Sequence, residues 1–464
     1  MKNSLLRKGA AILAAVLVAG MAAGCSGGKQ SSASGSGVSG SGASGASSSS
    51  KPVTITVMQQ NDPSHNYFSA LGKDFTELHP NVKVAYIGVP YDNFDSKLQT
   101  MIASHTQPDV TTHVQLMGFM DYYSKGLITD LTPYMQQYGF DAKKDGIPDS
   151  IMSMANVEGK QWGIPLNTFT TVMLINKDLF DKAGVAYPPT SYSDTSWTFD
   201  KMVDTAKRLT SGTGNNKIYG LYWAWNGGGD MQDPDYFGST LFPADASKTG
   251  KATTNNMADA KVVSVYQRLA DLTFQDKVSP TPAYVTALAG SNASDPFLSG
   301  KIAMEVEGSW GLAGVSSASF KVGVAAVPVG PNAKARAVTY TDPYFVLKGS
   351  KNPGVAFQYI AFLAQPDNQI KMVQQSGNPP SSTQALDTYY QNFKSIPEAD
   401  LKNAVEGSYD YSEEDLEHMI VGSGQIHTLL SNELQPVKDG SKTAQQVCPD
   451  LAKKLQTMQQ SINK

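Results

Sequence analysis

Two glutamates, Glu305 and Glu307, stand two residues apart in the stretch FLSGKIAMEVEGSW at 297–310. In a β-strand such positions share one face and lie about 6.6 Å apart. Glycoside hydrolysis uses two carboxylates, separated by about 5–5.5 Å for retention and about 6.5–9.5 Å for inversion. The spacing therefore allows a surface glycosidase, with the alternative that both glutamates are ordinary strand residues.

The same stretch ends in Gly308, Ser309 and Trp310. Glycine and serine let a ligand approach the backbone closely, and an indole offers a broad apolar face with one hydrogen-bond donor. We therefore expect Trp310 to form part of the wall of a ligand cleft between two lobes.

A second aromatic group occupies the stretch YGLYWAWNGGGD at 219–230. Trp223 and Trp225 are two residues apart, so in a strand they point the same way and could stack on the C–H face of a sugar. Asp230 would bind hydroxyl groups or simply hold the glycine turn together. The alternative is that one tryptophan belongs to the core and the other to a rim.

Strands and helices alternate along the chain, which predicts an α/β fold with ligands beyond the carboxyl ends of the strands. Strands are predicted at 53–58 and 82–87, and a helix at about 91–104. A helix is predicted between the two strands, because apolar residues recur there at three- and four-residue steps, namely Phe68, Leu71, Phe75 and Leu78. Asn61 and Asp109 follow strand or helix ends and could face a ligand, although Asp109 suits a turn cap equally well.

Local signals fix several further elements. Asn176 should cap a helix that Gly184 ends, and Ser196 or Thr198 should cap the next one. The inner face of that second helix is predicted to consist of Met202, Ala206 and Leu209. Trp162 and Trp197 are interpreted as packing residues, outside any site.

The amino terminus has the pattern of an export signal. Three cations precede an apolar run at 10–23 that is too short to span a bilayer. The segment MAAGC at 21–25 resembles a bacterial lipobox, which implies a signal peptide at 1–24 and a lipid, such as palmitate, on Cys25. Residues 25–52 are rich in serine and glycine and should form a flexible tether. The resemblance implies a lipid-anchored protein on the extracytoplasmic face of the cell membrane; the alternative is cleavage and release.

Composition argues against several function classes. The formal net charge of −4 and the lack of a clustered Lys/Arg run give no support for nucleic-acid binding. With Cys25 lipidated, Cys448 would have no partner for a disulfide. The six histidines show no HExxH spacing, so no catalytic metal and no cofactor are expected.

An ordered set of motifs resembles bacterial extracellular solute-binding proteins of family 1, the sugar-binding subunits of ABC importers and relatives of maltodextrin-binding proteins. The set covers essentially the whole body of the chain. Its main pieces are GLITDLTPY at 126–134, GKQWGIP at 159–165, TVMLINKDLFDKAG at 171–184, the stretch at 297–310 and QSGNPP at 375–380.

The resemblance implies a type II periplasmic-binding-protein-like fold with two hinged lobes. Lobe 1 would comprise 53–168 and 327–378, and lobe 2 would comprise 169–326 and 379–464. Crossovers would fall near 166–170, 325–328 and 377–381. Asn167 would then lie at the hinge near the cleft floor, and Tyr344 would either clamp a polyol from lobe 1 or belong to the core.

The implied function is capture of a sugar or oligosaccharide by a monomer that delivers it to ABC transporter permease subunits, without catalysis. The resemblance leaves a non-sugar polar solute such as a glycerol phosphate as an alternative. The same residues favour two other functions less, namely a surface glycoside hydrolase and an adhesin.

Overall fold

The computed structural model describes residues 52–60, 67–114, 117–224, 229–289, 296–331 and 337–464. The predicted signal peptide at 1–24, Cys25 and nearly all of the tether lie outside the described residues. Asn61 and Trp225 also lie outside them.

The described residues alternate between strands and helices. The strands are β1 Val53–Gln60, β2 Val82–Val89, β3 Val110–Thr111, β4 Asn156–Val157, β5 Lys160–Gln161, β6 Ile164–Asn176, β7 Tyr222–Trp223, β8 Met304–Gly308, β9 Val322–Ala325, β10 Ala337–Val346 and β11 Ser412–Glu414. The helices up to the glycine-rich stretch are α1 Tyr67–Leu78, α2 Phe94–Ala103, α3 Phe119–Ser124, α4 Thr132–Tyr138, α5 Asp149–Ser153, α6 Lys177–Ala183 and α7 Phe199–Leu209. The later helices are α8 Asp233–Tyr236, α9 Ala246–Thr249, α10 Ala260–Phe274, α11 Pro282–Ala289, α12 Pro353–Ala364, α13 Pro366–Ser376, α14 Leu386–Tyr390, α15 Glu398–Ala404, α16 Leu416–Met419, α17 Ser423–Lys438 and α18 Ala444–Ile462.

The principal strands form a mixed sheet in the order β2-β1-β3-β10-β6-β8-β7. β1 pairs in parallel with β2 and β3, whereas β6 is antiparallel to β10, β8 and β9. Helices flank this sheet, so the predicted α/β fold class is confirmed.

The long strands β6 and β10 run between two hydrophobic cores. β6 pairs with β10 up to Thr170 and with β8 from Thr171 onwards. Its first half contributes Ile164 and Leu166 to a core with β1, α1 and α12, and its second half contributes Met173 to a core with α7 and β8. All thirteen residues of β6 are buried, as expected for a central strand covered on both faces.

Local sequence signals explain how the flanking helices begin and end. The Asn176 side chain accepts a hydrogen bond from the backbone N–H of Leu179 at 3.2 Å, and Gly184 ends α6 in the left-handed conformation. Thr198 caps α7 by accepting from the N–H of Lys201 at 3.2 Å. Both predicted caps are therefore confirmed.

Most of the apolar residues that define the predicted helices are buried. Met202, Ala206 and Leu209 of α7 are all buried. In α1, Phe68, Leu71 and Phe75 are buried, but Leu78 is 66% exposed. Leu78 is the last residue of α1, where the helix extends beyond the core.

Neither tryptophan assigned to packing reaches a site. Trp197 is buried and donates from Nε1 to the carbonyl of Ala326 at 3.2 Å. Trp162 is partly buried and donates to the carbonyl of Val157 at 3.2 Å.

Within the described part of the chain, no helix has the length and apolar character needed to cross a membrane.

Candidate functional site

Trp310 lies directly after β8, in a helical segment of 3-10 type, Ser309–Ser317. Its indole is 36% exposed, although it is one of the largest apolar side chains in the protein. Gly308 permits this position, because a Cβ built there would lie 2.3 Å from the indole ring. Ser309 anchors the segment by accepting a hydrogen bond at Oγ from the N–H of Thr170 at 3.2 Å. The exposed ring is therefore held by the strand that joins the two cores.

Trp310 forms one end of a group of five rings that we call the aromatic cluster: Phe169, Trp310, Tyr340, His113 and His418. Ring centroids are 5.6 Å apart for Trp310 and Phe169, and 5.7 Å apart for Phe169 and Tyr340. His113 stacks on Tyr340 at 5.6 Å and on His418 at 4.3 Å. Phe169 and Tyr340 are register partners on β6 and β10, so the cluster lies where the connecting strands cross between the cores.

The two histidines of the cluster are in different electrostatic environments. Burial, reinforced by nearby His418, holds the pKa of His113 well below its ordinary value, so this ring is neutral. Its Nε2 lies 3.0 Å from the carbonyl oxygen of Thr341, which can only accept, so Nε2 carries the proton. Nδ1 of His418 lies 2.6 Å from Oδ2 of Asp415.

Acidic groups border the polar side of the cluster. Tyr340 donates from its hydroxyl to Oδ1 of Asp342 at 2.7 Å, and burial together with that carboxylate raises the pKa of Tyr340. Nearby, Glu417 pairs with His427 at 2.7 Å. Burial would raise the pKa of Glu417, but the hydrogen bond from His427 and the charges of both histidines lower it. Phe169, His113 and His418 are buried, so the exposed indole of Trp310 is the ring of the cluster best placed to stack on a polyhydroxylated ligand.

The contribution of Glu414 to the stability of the protein should fall as pH rises from about 5 to about 8. Burial, followed by the charge of Asp415, raises the pKa of Glu414 to about 8, and its Oε1 has no hydrogen-bond partner among the described residues. The folded chain therefore holds a proton that the unfolded chain releases above the ordinary carboxyl value. The stabilisation is full below that value and is lost as pH rises through about 8.

Thermal melting across this pH range tests the prediction. Glu414→Gln should flatten the curve, whereas Asp204→Asn, which changes an exposed carboxylate, should leave its slope unaltered. Asp235, whose pKa burial and then Glu413 raise to about 8, should contribute with the same sign. A slope that Glu414→Gln does not change would contradict the assignment to Glu414.

Trp223 lies in a separate aromatic group within the second core. Its ring is half-buried, 5.7 Å from Phe199 and 5.0 Å from Tyr236, and Nε1 donates to Oδ1 of Asp233 at 3.3 Å. Asp230 pairs through Oδ2 with Nζ of Lys438 at 2.7 Å. Both predicted residues line a cavity of about 470 Å³, so the structure brings them together but places Trp310 in another group.

Two other predicted site residues, Asp109 and Asn167, have structural partners. Asp109 lies at the amino end of β3, where its carboxylate accepts from the N–H of Thr56 at 2.7 Å and from the hydroxyl of Ser350 at 2.5 Å. These contacts give the Asp109 carboxylate a structural role between β1 and the segment after β10, and ligand contact by Asp109 stays a prediction. Asn167 is buried in β6 and donates to the carbonyl of Pro379 at 3.3 Å.

Tyr344 lies in the hydrophobic core, which is one of the two alternatives that the sequence left open. It is 2% exposed and packs against Phe68 at a ring distance of 5.7 Å. The pairing of β10 with β6 shifts register between Asp342 and Pro343, so Tyr340 and Tyr344 stand on opposite sides of an irregularity. The sequence left Tyr344 open between the core and the site, and the structure places Tyr340, which was not singled out, beside Trp310.

Several residues of the aromatic cluster were missed in the sequence. The YTDPY segment carried a usable signal for Tyr340, but spacing alone did not select between its two tyrosines. His113, four residues beyond Asp109, had no spacing that marked it, and His418 comes from a distant part of the chain. Their proximity arises from tertiary structure. Ligand contact by Trp310, Trp223 and Asp230 stays a prediction.

A family model described as "Bacterial extracellular solute-binding protein" matches residues 61–370. The chain belongs to this family. A binding protein of Brucella abortus is 26% identical to this solute-binding protein over 357 residues, which are 73% of this chain and 79% of the relative. The sn-glycerol-3-phosphate-binding periplasmic protein UgpB of Rhizobium meliloti is 24% identical over 335 residues, which are 68% of this chain and 72% of the relative.

The fold of this solute-binding protein is similar to that of a solved structure. The ABC substrate-binding protein Lmo0181 from Listeria monocytogenes, in complex with cycloalternan, superposes with a TM-score of 0.73 at 24% identity. The superposition covers 88% of this chain and 99% of that one. The two-lobed type II architecture of such proteins agrees with the two cores joined by β6 and β10, and the predicted family and fold are confirmed.

Proposed function

We propose that this solute-binding protein captures a neutral sugar or oligosaccharide at the aromatic cluster and delivers it to the permease of an ABC importer. The proposal rests on the exposed indole of Trp310. An exposed indole, held edge-on by buried Phe169 and Tyr340, provides a rigid apolar face for the C–H surface of a sugar ring. The structural relative Lmo0181 has cycloalternan bound, which agrees with a saccharide ligand.

The charges around the cluster favour a neutral ligand over an anion. The groups bordering its rings include the carboxylates of Asp342 and Asp415. A phosphate group is bound most strongly by Arg or Lys donors, and the polar contacts of these rings run instead to carboxylates and a backbone carbonyl. A glycerol phosphate nevertheless remains the second candidate, because the Rhizobium relative is named for binding one.

The remaining parts of the proposal concern anchoring and motion. Cys25 would carry the lipid that holds the protein at the outer face of the membrane. The lobes would divide at 53–168 with 327–378 and 169–326 with 379–464, and would close about β6 and β10 when a ligand binds. The protein would act as a monomer and would bind its ligand without chemical change.

A thermal-shift screen tests the choice of ligand. The panel contains glucose, xylose and galactose, their di- and trisaccharides, sn-glycerol-3-phosphate and glycerophosphocholine. A ligand present at 100 times its Kd stabilises the folded state by about 2.7 kcal/mol, which is a readily measured shift. We expect at least one saccharide to raise the melting temperature. A shift confined to the two phosphate compounds would replace the sugar proposal with the second candidate.

A further inference from the structure

Ser309, the residue before Trp310, is buried and is held at both its side chain and its backbone. Its Oγ accepts a hydrogen bond from the N–H of Thr170 at 3.2 Å, and its carbonyl oxygen accepts one from the hydroxyl of Tyr389 at 3.3 Å. Thr170 belongs to β6 and Tyr389 to α14, so two distant segments of the chain meet at this residue. The Ser309 carbonyl and the Trp310 N–H form one planar peptide unit, so a hydrogen bond to the carbonyl constrains where Trp310 begins.

The β6 contact lies where that strand changes partners. Thr170 pairs with β10, and Thr171 pairs with β8. The hydroxyl of Thr170 lies 2.7 Å from that of Ser408, which donates its own proton to the carbonyl of Val405 at 2.6 Å. Because the Ser408 hydroxyl has one proton, Thr170 is the donor in the hydrogen bond between the two hydroxyls. The backbone that supports Ser309 from β6 is therefore fixed by a further segment of the chain.

Tyr389 is itself held rigidly in a hydrophobic core. Its ring is buried, lies 5.0 Å from the ring of Phe393, and shares this core with Leu312 and Val315 of the helical segment that begins at Ser309. Burial raises the pKa of Tyr389, so the hydroxyl keeps its proton and is able to donate it in a hydrogen bond. The carbonyl of Ser309 therefore faces a fixed donor.

The orientation of the Trp310 indole depends on the backbone that carries it. The ring folds back over Gly308, where a Cβ would lie 2.3 Å from it, and it meets Phe169 and Tyr340 edge to face. Stacking on a sugar requires the face of the indole in a defined direction. A binding group that is fixed in advance loses less conformational entropy when the ligand binds, which increases affinity.

We infer that Tyr389, together with the hydroxyl of Ser309, is a positioning residue for ligand binding, because it holds the peptide unit that directs the indole of Trp310 towards the sugar. The inference rests on the proposed function and deepens it, since it makes affinity depend on a buried hydroxyl outside the ligand contact. Loss of this hydroxyl should therefore weaken binding only while the indole is present.

A double-mutant cycle on binding tests the inference. Tyr389→Phe removes the hydroxyl and keeps the ring, and isothermal titration measures the Kd of the saccharide that the wild type binds most tightly. We expect the Kd to rise about threefold to tenfold, the range that loss of one neutral hydrogen bond allows. In the Trp310→Ala background the same substitution should change the Kd by less than about twofold, because no indole is then left to position.

Tyr390→Phe is the matched control. It removes a hydroxyl from the next residue of the same helix, and that hydroxyl has no hydrogen-bond partner among the described residues. The control should bind saccharide with the wild-type Kd. A Kd for Tyr389→Phe within twofold of the wild-type value, or an equal rise in both Trp310 backgrounds, would overturn the inference and leave the proposed function intact.

Acrylamide quenching of Trp310 fluorescence adds a measurement that needs no ligand. The emission of Trp310 is the difference between each protein and its Trp310→Phe counterpart. Tyr389→Phe should change the quenching constant of this emission, whereas Tyr390→Phe should not. If the wild type bound no saccharide, the proposed function would fall, and an unchanged quenching constant would overturn the positioning role as well.

Ser309→Ala decides the question if Tyr389→Phe fails to fold, as judged by thermal melting. This variant removes the oxygen that accepts from the N–H of Thr170, and so releases the same peptide unit from its other side. Its Kd should also rise about threefold to tenfold, and only in the protein that retains Trp310. No rise, or the same rise in the Trp310→Ala background, would overturn the inference.

Discussion

Replacing Trp310 by alanine should weaken saccharide binding by one or more orders of magnitude while leaving the fold largely intact. Trp310 is 36% exposed and lies at one end of the aromatic cluster, so the ring contacts among Phe169, Tyr340 and the two histidines do not involve it. Its apolar face would be covered only when a sugar binds, and loss of stacking on an aromatic side chain is then a direct loss of binding energy. A tenfold change in Kd corresponds to about 1.4 kcal/mol. Titration calorimetry with the saccharides of the panel measures it.

Two controls separate stacking from general damage. Trp310→Phe keeps an aromatic face and should recover part of the affinity. Tyr187→Ala removes another exposed aromatic ring, one that packs on Phe180 away from the cluster, and should not affect binding. A Kd for Trp310→Ala within twofold of the wild-type value would show that the ligand lies elsewhere.

Gly118→Val should also lower affinity, by one to two orders of magnitude, through the contact between α3 and α16. Gly118 precedes α3, and a Cβ there would lie 2.5 Å from Cα and 2.7 Å from the carbonyl oxygen of His418. Its φ of −75° is accessible to any residue, so the substitution is compatible with α3 itself. The clash falls on the approach of α3 to α16, which also includes a hydrogen bond from the N–H of Gly422 to Asp121 at 3.1 Å.

The expected mechanism is a shift of population. If ligand binds most tightly when α3 and α16 are in contact, a variant that disfavours the contact lowers the competent fraction and raises the apparent Kd in proportion. Overpacking of this kind typically costs about 1–3 kcal/mol. Gly407→Val is the matched control, since the nearest atom to its Cβ, the Lys402 carbonyl oxygen, is 3.6 Å away. Gly118→Val with wild-type affinity and a wild-type melting temperature would contradict a role for this contact.

Much of the fold was predictable from the sequence because its signals are local. The continuous apolar run of β6, the cap at Asn176 and the glycine that ends α6 each specify structure within a few residues. The order of the motifs along the chain supplied the family. Leu78 shows the limit of periodicity, since the pattern continues to the helix end although the core does not.

The candidate site was predictable only in part, because it is assembled from distant segments. Trp310 was identified from its small neighbours and its position after a strand. Tyr340 was passed over for Tyr344 because the register shift in β10 is a property of strand pairing and leaves no mark in the spacing of the two tyrosines. His113 and His418 meet through tertiary packing, which no local pattern encodes.

In the proposed function, the protein binds a saccharide reversibly and without chemical change. Isothermal titration of the wild-type protein with the trisaccharides of the panel tests this binding. Chromatography of the sugar recovered from the calorimeter cell then shows whether the sugar has been cleaved. We predict saturable binding of at least one trisaccharide at one site per chain, with the sugar recovered intact. Absence of binding to every saccharide, or recovery of shorter products, would contradict the claim.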